Sequence, residues 1–211
     1  MNQSNIRNFG IAILNDRLCE ETSTIFVTGL GRSGTTMISR ILIELNIPMG
    51  NIITRQTAED KEFQVIIKNN QWDLFDNLCR QRDSQYSRWG FKCPALRGGI
   101  DKAEPIMRNP RGIIIFRDIL AISQRNKLSV NSEFSIDSLN QTVKNYHKML
   151  EKVKMLSCPI MLLSYEKALF YPQYVVQEIS NFLGLNITDD ESLKVAQHTI
   201  INGDHKYLTK N

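Results

Sequence analysis

Residues 25–36, which read IFVTGLGRSGTT, combine an apolar run with a turn that is rich in glycine and hydroxyl groups. A strand that enters such a turn and continues into a helix presents backbone amides and the positive end of the helix dipole to one point. Arginine, serine and threonine side chains add further donors. The sequence therefore predicts a site that binds a phosphate-like anion. Its predicted ligands are Gly31, Arg32, Ser33, Gly34, Thr35 and Thr36.

The turn lacks the lysine that is found in the phosphate loop of nucleoside triphosphatases. That Walker A pattern is Gly, four residues, Gly, Lys and then Ser or Thr, and its lysine reaches the β- and γ-phosphates. Gly29 and Gly34 have the required spacing, but Thr35 stands in place of the lysine, and the cation of the loop is Arg32. We therefore expect an anion other than a triphosphate. The alternative is a plain strand-to-helix turn, in which the glycines serve backbone geometry alone.

A second cation, Arg117, follows the apolar run GIIIF at 112–116. Such a run is typical of a strand that is buried on both faces of a parallel sheet. Because ligands of α/β sheets bind at the carboxyl edge of the strands, Arg117 is predicted at the same edge as the glycine turn. At that edge its guanidinium could face an anionic ligand. The alternative is a salt bridge with a nearby acid such as Asp118.

The rest of the chain alternates between apolar runs and helical periodicity. Further strands are predicted at 24–28, 89–93 and 160–163, with helices at 35–45, 58–79, 99–107, from about 119, and at 135–156, 174–183 and 191–198. This alternation predicts an α/β fold of three layers, with a central parallel sheet flanked by helices. We expect an N-terminal extension over residues 1–22 and a single domain over residues 23–211.

Composition narrows the classes of function. The chain has 211 residues and a net charge of +4, and its 26 Lys and Arg are scattered among 22 Asp and Glu. This balance favours a small anionic ligand over nucleic acid. The four cysteines form no CxxC pair, so we expect reduced thiols, no metal site and a cytoplasmic location. No stretch approaches the roughly 20 apolar residues of a membrane span.

The residues around these motifs resemble one enzyme family. TGLGRSGTT at 28–36 looks like the 5′-phosphosulfate loop of sulfotransferases that use 3′-phosphoadenosine 5′-phosphosulfate (PAPS). Three further segments resemble that family in the same order: WGFKCP at 89–94, IIIFRDILAISQRN at 113–126 and LLSYEKALFYPQYVVQEISNFLGL at 162–185. Together the matches span residues 24–185. The resemblance implies a P-loop-type sulfotransferase fold of the bacterial or carbohydrate kind.

That resemblance also implies a reaction and several residue roles. A sulfuryl group would pass from PAPS to a hydroxyl of a carbohydrate or glycoconjugate, without a metal, and 3′-phosphoadenosine 5′-phosphate (PAP) would be released. Arg32 would bind the 5′-phosphate and assist the leaving group. Lys92 would be a second catalytic cation, for which the alternative is a solvated lysine at the surface. Arg117 would bind the 3′-phosphate. The family's serine eight residues after that arginine is replaced by Arg125, which leaves either Ser123 or Arg125 as the second ligand.

The acceptor hydroxyl needs a general base, for which the sequence offers several candidates. The acidic run AEDKEF at 58–63 supplies Glu59, Asp60 and Glu62, of which Asp60 is the first choice. The alternative for each is an ordinary acid at a helix start, where it complements the dipole. The chain's histidines are further alternatives, at His147, His198 and His205. The run NGDHKY at 202–207 faintly resembles the glycine-containing loop that closes over the cofactor in some sulfotransferases.

Two other functions remain compatible with these motifs. One is a nucleotide or small-molecule kinase with a divergent phosphate loop. The other is a non-catalytic nucleotide-binding protein that has the fold but lacks the base. Stabilisation by PAP or by magnesium ATP distinguishes a sulfotransferase from a kinase.

Overall fold

A computed structural model describes residues 8–51, 57–129 and 133–200 of the chain. The described part contains a five-stranded sheet in the order β1-β5-β4-β2-β3. Strands β2 to β5 are parallel, and β1 pairs antiparallel with β5 at one edge. The strands are β1 (Ile11–Leu14), β2 (Ser23–Gly29), β3 (Arg88–Lys92), β4 (Arg111–Phe116) and β5 (Ile160–Ser164).

Helices connect the parallel strands. The α-helices are α1 (Thr35–Glu44), α2 (Lys61–Lys68), α3 (Trp72–Gln85), α4 (Ile100–Ala103), α5 (Ile119–Ser129), α6 (Ile136–Val153), α7 (Tyr165–Phe170), α8 (Pro172–Phe182) and α9 (Asp189–Thr199). Two short 3₁₀ turns, Pro94–Gly98 and Glu104–Ile106, flank α4, where the sequence predicted one helix over 99–107. Prolines at the start of both turns remove an amide donor and interrupt a longer helix.

The sheet separates two hydrophobic cores, as alternating side chains of each strand point to opposite faces. One core joins Phe26, Phe91 and Ile114 to residues of α2, α3 and α6. The other joins Val27 and Ile115 to residues of α1, α8 and α9. Both faces of the central strands are thus buried, which explains why they read as continuous apolar runs. The predicted α/β fold of three layers is confirmed.

Strand β1 extends the sheet into the segment that the sequence assigned to an N-terminal extension. Ile11 pairs with Leu163 and Leu14 with Ile160. The buried guanidinium of Arg111 also donates to the backbone carbonyl of Arg17, which attaches this segment to β4. The sheet therefore begins before residue 23. A strand of four residues at an edge has too short a pattern to be recognised from the sequence.

Two core side chains occupy the space that a side chain at Gly112 would fill. A Cβ added there would lie 2.4 Å from Cζ of Phe26 and 2.6 Å from Cδ1 of Ile160. The absence of a side chain at Gly112 of β4 therefore makes room for the ring of Phe26 on β2. This contact helps to fix the spacing of the two strands that lead to the glycine turn and to Arg117.

A buried ion pair attaches α2 to α3. Asp60 is the N-cap of α2, and its Oδ1 accepts hydrogen bonds from the amides of Glu62 and Phe63 at 2.9 and 3.3 Å. Its Oδ2 lies 3.6 Å from a guanidinium nitrogen of Arg82 on α3, and both side chains are almost fully buried. Burial raises the pKa of Asp60, while the amides and Arg82 oppose that change. The pair therefore fixes the residue that immediately precedes α2.

Replacing Arg82 is expected to leave the Asp60 carboxylate buried without its cation. We predict that Arg82→Met lowers the free energy of unfolding by about 3 kcal/mol at pH 7, in the range found for broken buried pairs. Without Arg82 the pKa of Asp60 rises further, so folding binds a proton as the pH falls toward that pKa. The loss of stability should therefore be smaller near pH 5 than at pH 7. Urea unfolding at both pH values measures it.

Two variants provide controls for this prediction. Arg80→Ala removes an exposed arginine of the same helix, paired with Asp76, and should change the unfolding free energy little. Adding Asp60→Asn to Arg82→Met keeps a capping oxygen but removes the carboxylate charge, and should restore most of the stability. A deficit in Arg82→Met that is equal at both pH values would contradict the proposed role of the Asp60 charge.

Candidate active site

Four parallel strands deliver functional groups to one edge of the sheet. Strand β2 leads into the glycine turn, and β3 ends at Lys92. Strand β4 is followed by Arg117, and β5 is followed by Tyr165. Because parallel strands end on the same side, these groups converge at the carboxyl edge. The sequence predicted this convergence for the glycine turn and Arg117.

The glycine turn leads into a helix without a side-chain cap. Gly34 is the N-cap of α1, no side chain accepts hydrogen bonds from its first amides, and its first turn contains no acidic residue. Side-chain oxygens cap α2, α6, α7 and α9, whereas α3, α4 and α8 lack such a cap, as α1 does; α1 differs from these three in that a glycine-rich turn precedes it at the carboxyl edge of the sheet. The first amides of a helix have no acceptor within the helix. The start of α1 therefore has the donors and the dipole that an anion requires.

Arg32 lies at the outer part of this turn in a strained backbone conformation. Its φ is +71°, in the left-handed region that side chains disfavour, and the residue is exposed. Such conformations cost of order 1–3 kcal/mol and concentrate at functional sites. A Cβ added at the neighbouring Gly31 would meet no atom within 4 Å, so that side of the turn is open. Ser33, by contrast, is fully buried, and its amide donates to the Leu30 carbonyl at 3.1 Å.

Arg117 lies directly against the glycine turn. Its Nη1 donates to the carbonyl of Arg32 at 3.1 Å, and its guanidinium carbon lies 4.3 Å from the ring centroid of Tyr165. The Tyr165 ring in turn covers Gly34, where an added Cβ would lie 2.4 Å from Cδ2. Gly34 has φ +107°, so both its conformation and this contact require glycine. The two predicted phosphate-binding elements are thus in direct contact.

One atom of Arg117 has an unsatisfied hydrogen-bonding requirement. Its Nε is buried and has no hydrogen-bond partner in the described part of the chain. A guanidinium normally uses its donors in a fork that suits phosphate or carboxylate. Because Nε is shielded from solvent, as it is in Arg82, Arg88 and Arg108, a phosphate at Arg117 would have to bind the outer nitrogens of the guanidinium. The salt bridge with Asp118 that the sequence left open is not formed, since the Asp118 carboxylate accepts from the Ala121 amide.

Lys92 is buried behind the start of α1. Its side chain is 2% exposed, and its Nζ donates to the Thr36 hydroxyl, the Thr57 carbonyl and Glu59 Oε1 at 3.3, 2.6 and 3.1 Å. Burial lowers the pKa of Lys92, and the positive charge of Arg32 lowers it further, while Glu59 opposes both effects. Lys92 is therefore part of the same electrostatic cluster as the glycine turn.

The adjacent acids Glu59 and Asp60 have different surroundings. Glu59 contacts Lys92, and its side chain remains 15% exposed. Asp60 is fully buried in the cap of α2 and against Arg82. Ala58, at φ +50°, provides the left-handed turn just before them. This geometry favours a structural role for Asp60, in place of the base role that the sequence preferred, and makes Glu59 the candidate base. Glu62 forms an ion pair with Arg82.

The two candidates for a second 3′-phosphate ligand lie on α5. Ser123 is 1% exposed, and its hydroxyl lies 2.9 Å from that of Ser138 on α6, so the hydroxyl faces the neighbouring helix. Arg125 is partly buried on the same helix. The burial of Ser123 favours Arg125 of the two alternatives.

The histidines of the described chain lie elsewhere. His147 is exposed on α6. His198 Nδ1 is 4.0 Å from Glu44, which is the last residue of α1, whereas the glycine turn precedes the first. A helix of ten residues spans about 15 Å, so His198 is not at the candidate site. His205 and the run at 202–207 lie outside the described residues.

Two tyrosines of the site were not identified as functional from the sequence. Tyr165 belongs to the segment that carried the family resemblance, and its position directly after a strand was the available signal. Tyr146 on α6 bonds to the backbone of Arg117. The helical pattern of α6 assigns Tyr146 to the buried face together with Met149 and Val153, but no pattern reveals a hydrogen bond to a distant turn.

Other features of the described residues lie away from this edge or supply no site. A cavity of about 490 Å³ lies at the opposite edge, where β4 begins, and includes Arg111 and Phe182 in its lining. The Arg111 guanidinium is committed there to backbone carbonyls. Within the described ranges, no three His, Cys, Asp or Glu side chains are grouped as metal ligands. No described helix is long and apolar enough to cross a bilayer.

Solved structures of sulfotransferases have a similar fold. No protein-family model matches the sequence. No curated protein matches it either. The sulfotransferase domain of the Synechococcus PCC 7002 olefin synthase aligns with a TM-score of 0.58 and 14% identity over 89% of this chain and 82% of that one. Sulfotransferase STF9 of Mycobacterium avium aligns with a TM-score of 0.53 and 13% identity over 85% and 68%.

A mouse enzyme of the same kind was solved with a ligand. Sulfotransferase SULT7A1, complexed with PAP, aligns with a TM-score of 0.52 and 13% identity over 86% of this chain. The present chain covers 64% of the length of that protein. At these identities the comparisons establish the architecture. The chain therefore has the P-loop-type fold of the sulfotransferases, as its motifs predicted.

Proposed function

We propose that this protein is a sulfotransferase that moves a sulfuryl group from PAPS to a hydroxyl acceptor and releases PAP. The observation that carries the proposal is the contact between two anion-binding elements, the uncapped start of α1 and Arg117, at the carboxyl edge of the sheet. PAPS has a 5′-phosphosulfate and a separate 3′-phosphate, so it requires two such elements. The fold shared with sulfotransferases, one of them complexed with PAP, supports the same conclusion.

The donor would be held by groups that follow two adjacent strands, β2 and β4. Amides of Gly31, Gly34, Thr35 and Thr36, together with the guanidinium of Arg32, would bind the 5′ side. Arg117 would bind the 3′-phosphate through the outer nitrogens of its guanidinium, with Arg125 on α5 as the further cation. Ser33 would contribute by shaping the turn, since its side chain is buried beneath it. The donor supplies an activated sulfuryl group, and no residue of the chain needs to form a covalent intermediate.

The transfer requires stabilisation of negative charge on the group that moves and on the phosphate that departs. Arg32 and Lys92 supply positive charge there without reorganisation, since Lys92 is already fixed by Thr36 and Glu59. Glu59 would accept the proton of the acceptor hydroxyl as general base. Its side chain has both the required exposure and a fixed contact with the cationic cluster.

The proposal also covers the chemical class of the acceptor and the cellular compartment. A carbohydrate or glycoconjugate hydroxyl is proposed because residues 89–94 resemble the corresponding segment of carbohydrate sulfotransferases. A cytoplasmic location is proposed from the cysteines, which are all unpaired although three of them are buried. Transfer of labelled sulfate from PAPS to a panel of glycans and small alcohols tests the acceptor class.

Ligand-dependent stability distinguishes the proposed donor from a kinase substrate. We expect PAP to raise the melting temperature, because a ligand at 100 times its Kd stabilises the folded state by about 2.7 kcal/mol. Magnesium ATP should give a smaller shift or none. Stabilisation by magnesium ATP alone would refute the proposal in favour of a kinase. Stabilisation by PAP without transfer to any acceptor would favour a non-catalytic binding protein.

The variant Arg32→Gly separates the effect of Arg32 on the reaction rate from its effect on the melting temperature. Glycine adopts a φ of +71° readily, so Arg32→Gly should leave the melting temperature unchanged or slightly higher. Loss of a preorganised charge at the transferring group should nevertheless lower kcat by roughly 10²- to 10³-fold. Arg40→Ala, which removes an exposed arginine on α1, is the matched control and should retain activity. Full activity of Arg32→Gly would exclude the assigned role.

Variants of Glu59 and Asp60 test which of the two acids is the general base. Glu59→Gln is expected to lower kcat by roughly 10²- to 10⁴-fold, because the amide cannot accept the proton, and to leave PAP affinity nearly unchanged. Asp60→Asn should reduce stability and retain kcat, since Asp60 is buried in the α2 cap. Steady-state kinetics and PAP titration measure both variants. The reverse pattern would make Asp60 the base, as the sequence first suggested.

A further inference from the structure

The backbone of Arg117 is bound by a side chain from another layer of the fold. The Tyr146 hydroxyl accepts a hydrogen bond from the Arg117 amide at 2.9 Å and donates one to the Arg117 carbonyl at 3.0 Å. Tyr146 lies on α6, and its ring stacks on that of Phe116 with centroids 5.3 Å apart. One phenol thus satisfies both backbone groups of the residue that follows β4.

This contact is needed because Arg117 has left the sheet. The ladder of β4 ends at Phe116, which is opposite Ser164 of β5. Beyond that point the backbone groups have no strand partner, and unpaired polar groups in a buried region are costly. The next residue, Asp118, has its amide bound by Glu166 Oε1 at 2.9 Å. Tyr146 and Glu166 therefore fix successive residues of the turn between β4 and α5.

The position of the guanidinium depends on this turn. The Arg117 side chain extends from the fixed backbone to the Tyr165 ring and to the Arg32 carbonyl, and a shift of its Cα would move the guanidinium from both. Tyr146 is 8% exposed, so its own position is set by packing. Burial raises the pKa of Tyr146 to about 12, so the phenol keeps the proton that it donates throughout the neutral range.

We propose that Tyr146 is a positioning residue, which holds the Arg117 backbone so that the guanidinium is preorganised for the 3′-phosphate of the donor. This inference rests on the proposed function, because it assigns Arg117 to that phosphate. Tyr146 itself touches neither the donor nor the acceptor. Its removal should therefore weaken donor binding and leave the chemical step almost unchanged.

Titration of the full chain with PAP tests this proposal in a double-mutant cycle. Arg117→Ala is expected to weaken PAP binding by roughly tenfold or more, since hydrogen bonds to charged groups are strong. Tyr146→Phe retains the ring stack and should weaken PAP binding about fivefold, by the loss of two backbone hydrogen bonds that fix the turn. In the Arg117→Ala background, Tyr146→Phe should have no further effect on PAP affinity.

Thr142 on the same helix provides a control for the loss of stability that Tyr146→Phe could cause. Thr142 is buried one turn before Tyr146, and its hydroxyl donates to the Ser138 carbonyl at 3.1 Å within α6. Thr142→Val should leave PAP affinity unchanged even where its melting temperature falls as much as that of Tyr146→Phe. For Tyr146→Phe, the Michaelis constant for PAPS should rise while kcat stays within about twofold.

The outcomes separate this inference from the proposed function. Unchanged PAP affinity in Arg117→Ala would contradict the donor site itself. Weaker binding in Arg117→Ala with wild-type affinity in Tyr146→Phe would overturn only the role of Tyr146. Equal losses from Tyr146→Phe in the wild-type and Arg117→Ala backgrounds would also overturn it, because the effect would not act through Arg117.

Discussion

Positive charges close together at one edge of a sheet repel one another, and this repulsion is the constraint around which the site is organised. Arg32, Lys92 and Arg117 meet there beside the positive end of α1. The Glu59 carboxylate offsets the charge of Lys92, and the face of Tyr165 and the Arg32 carbonyl offset that of Arg117, while Arg32 itself lies on the exposed part of the turn. If the proposed function holds, the incoming polyanionic donor would relieve the same repulsion.

The parts of the site that follow from the order of strands could be predicted from the sequence. A glycine turn after one buried strand and an arginine after another lie at the same edge if the strands are parallel, and here they touch because β2 and β4 are neighbours in the sheet. Lys92 was identified by its position after a third strand, but its burial was not predictable. Its depth depends on the Thr57 carbonyl and on Glu59, which precede α2 although the sequence predicted a helix from residue 58.

The choice between adjacent acids depends on contacts that the sequence does not reveal. Glu59 and Asp60 are both acidic residues before a helix, and each complements the helix dipole. Asp60 becomes the cap because aspartate has the short side chain that reaches the amides of its own helix, whereas Glu59 is directed to Lys92. The left-handed Ala58 and the distant partner Arg82 decide this difference, and neither has a local signature.

The antiparallel edge strand has a consequence for the order in which the chain can fold. Strand β1 pairs with β5, and Ile11 lies opposite Leu163. Strand β1 therefore has no sheet partner until β5 has been synthesised. At about 5–20 residues per second, synthesis of the intervening segment takes roughly 8–30 s. During that time the apolar run 9–14 is exposed, while β2, β3 and β4 can already associate. Of the five strands of this sheet, the one that is synthesised first can thus pair only after the one that is synthesised last.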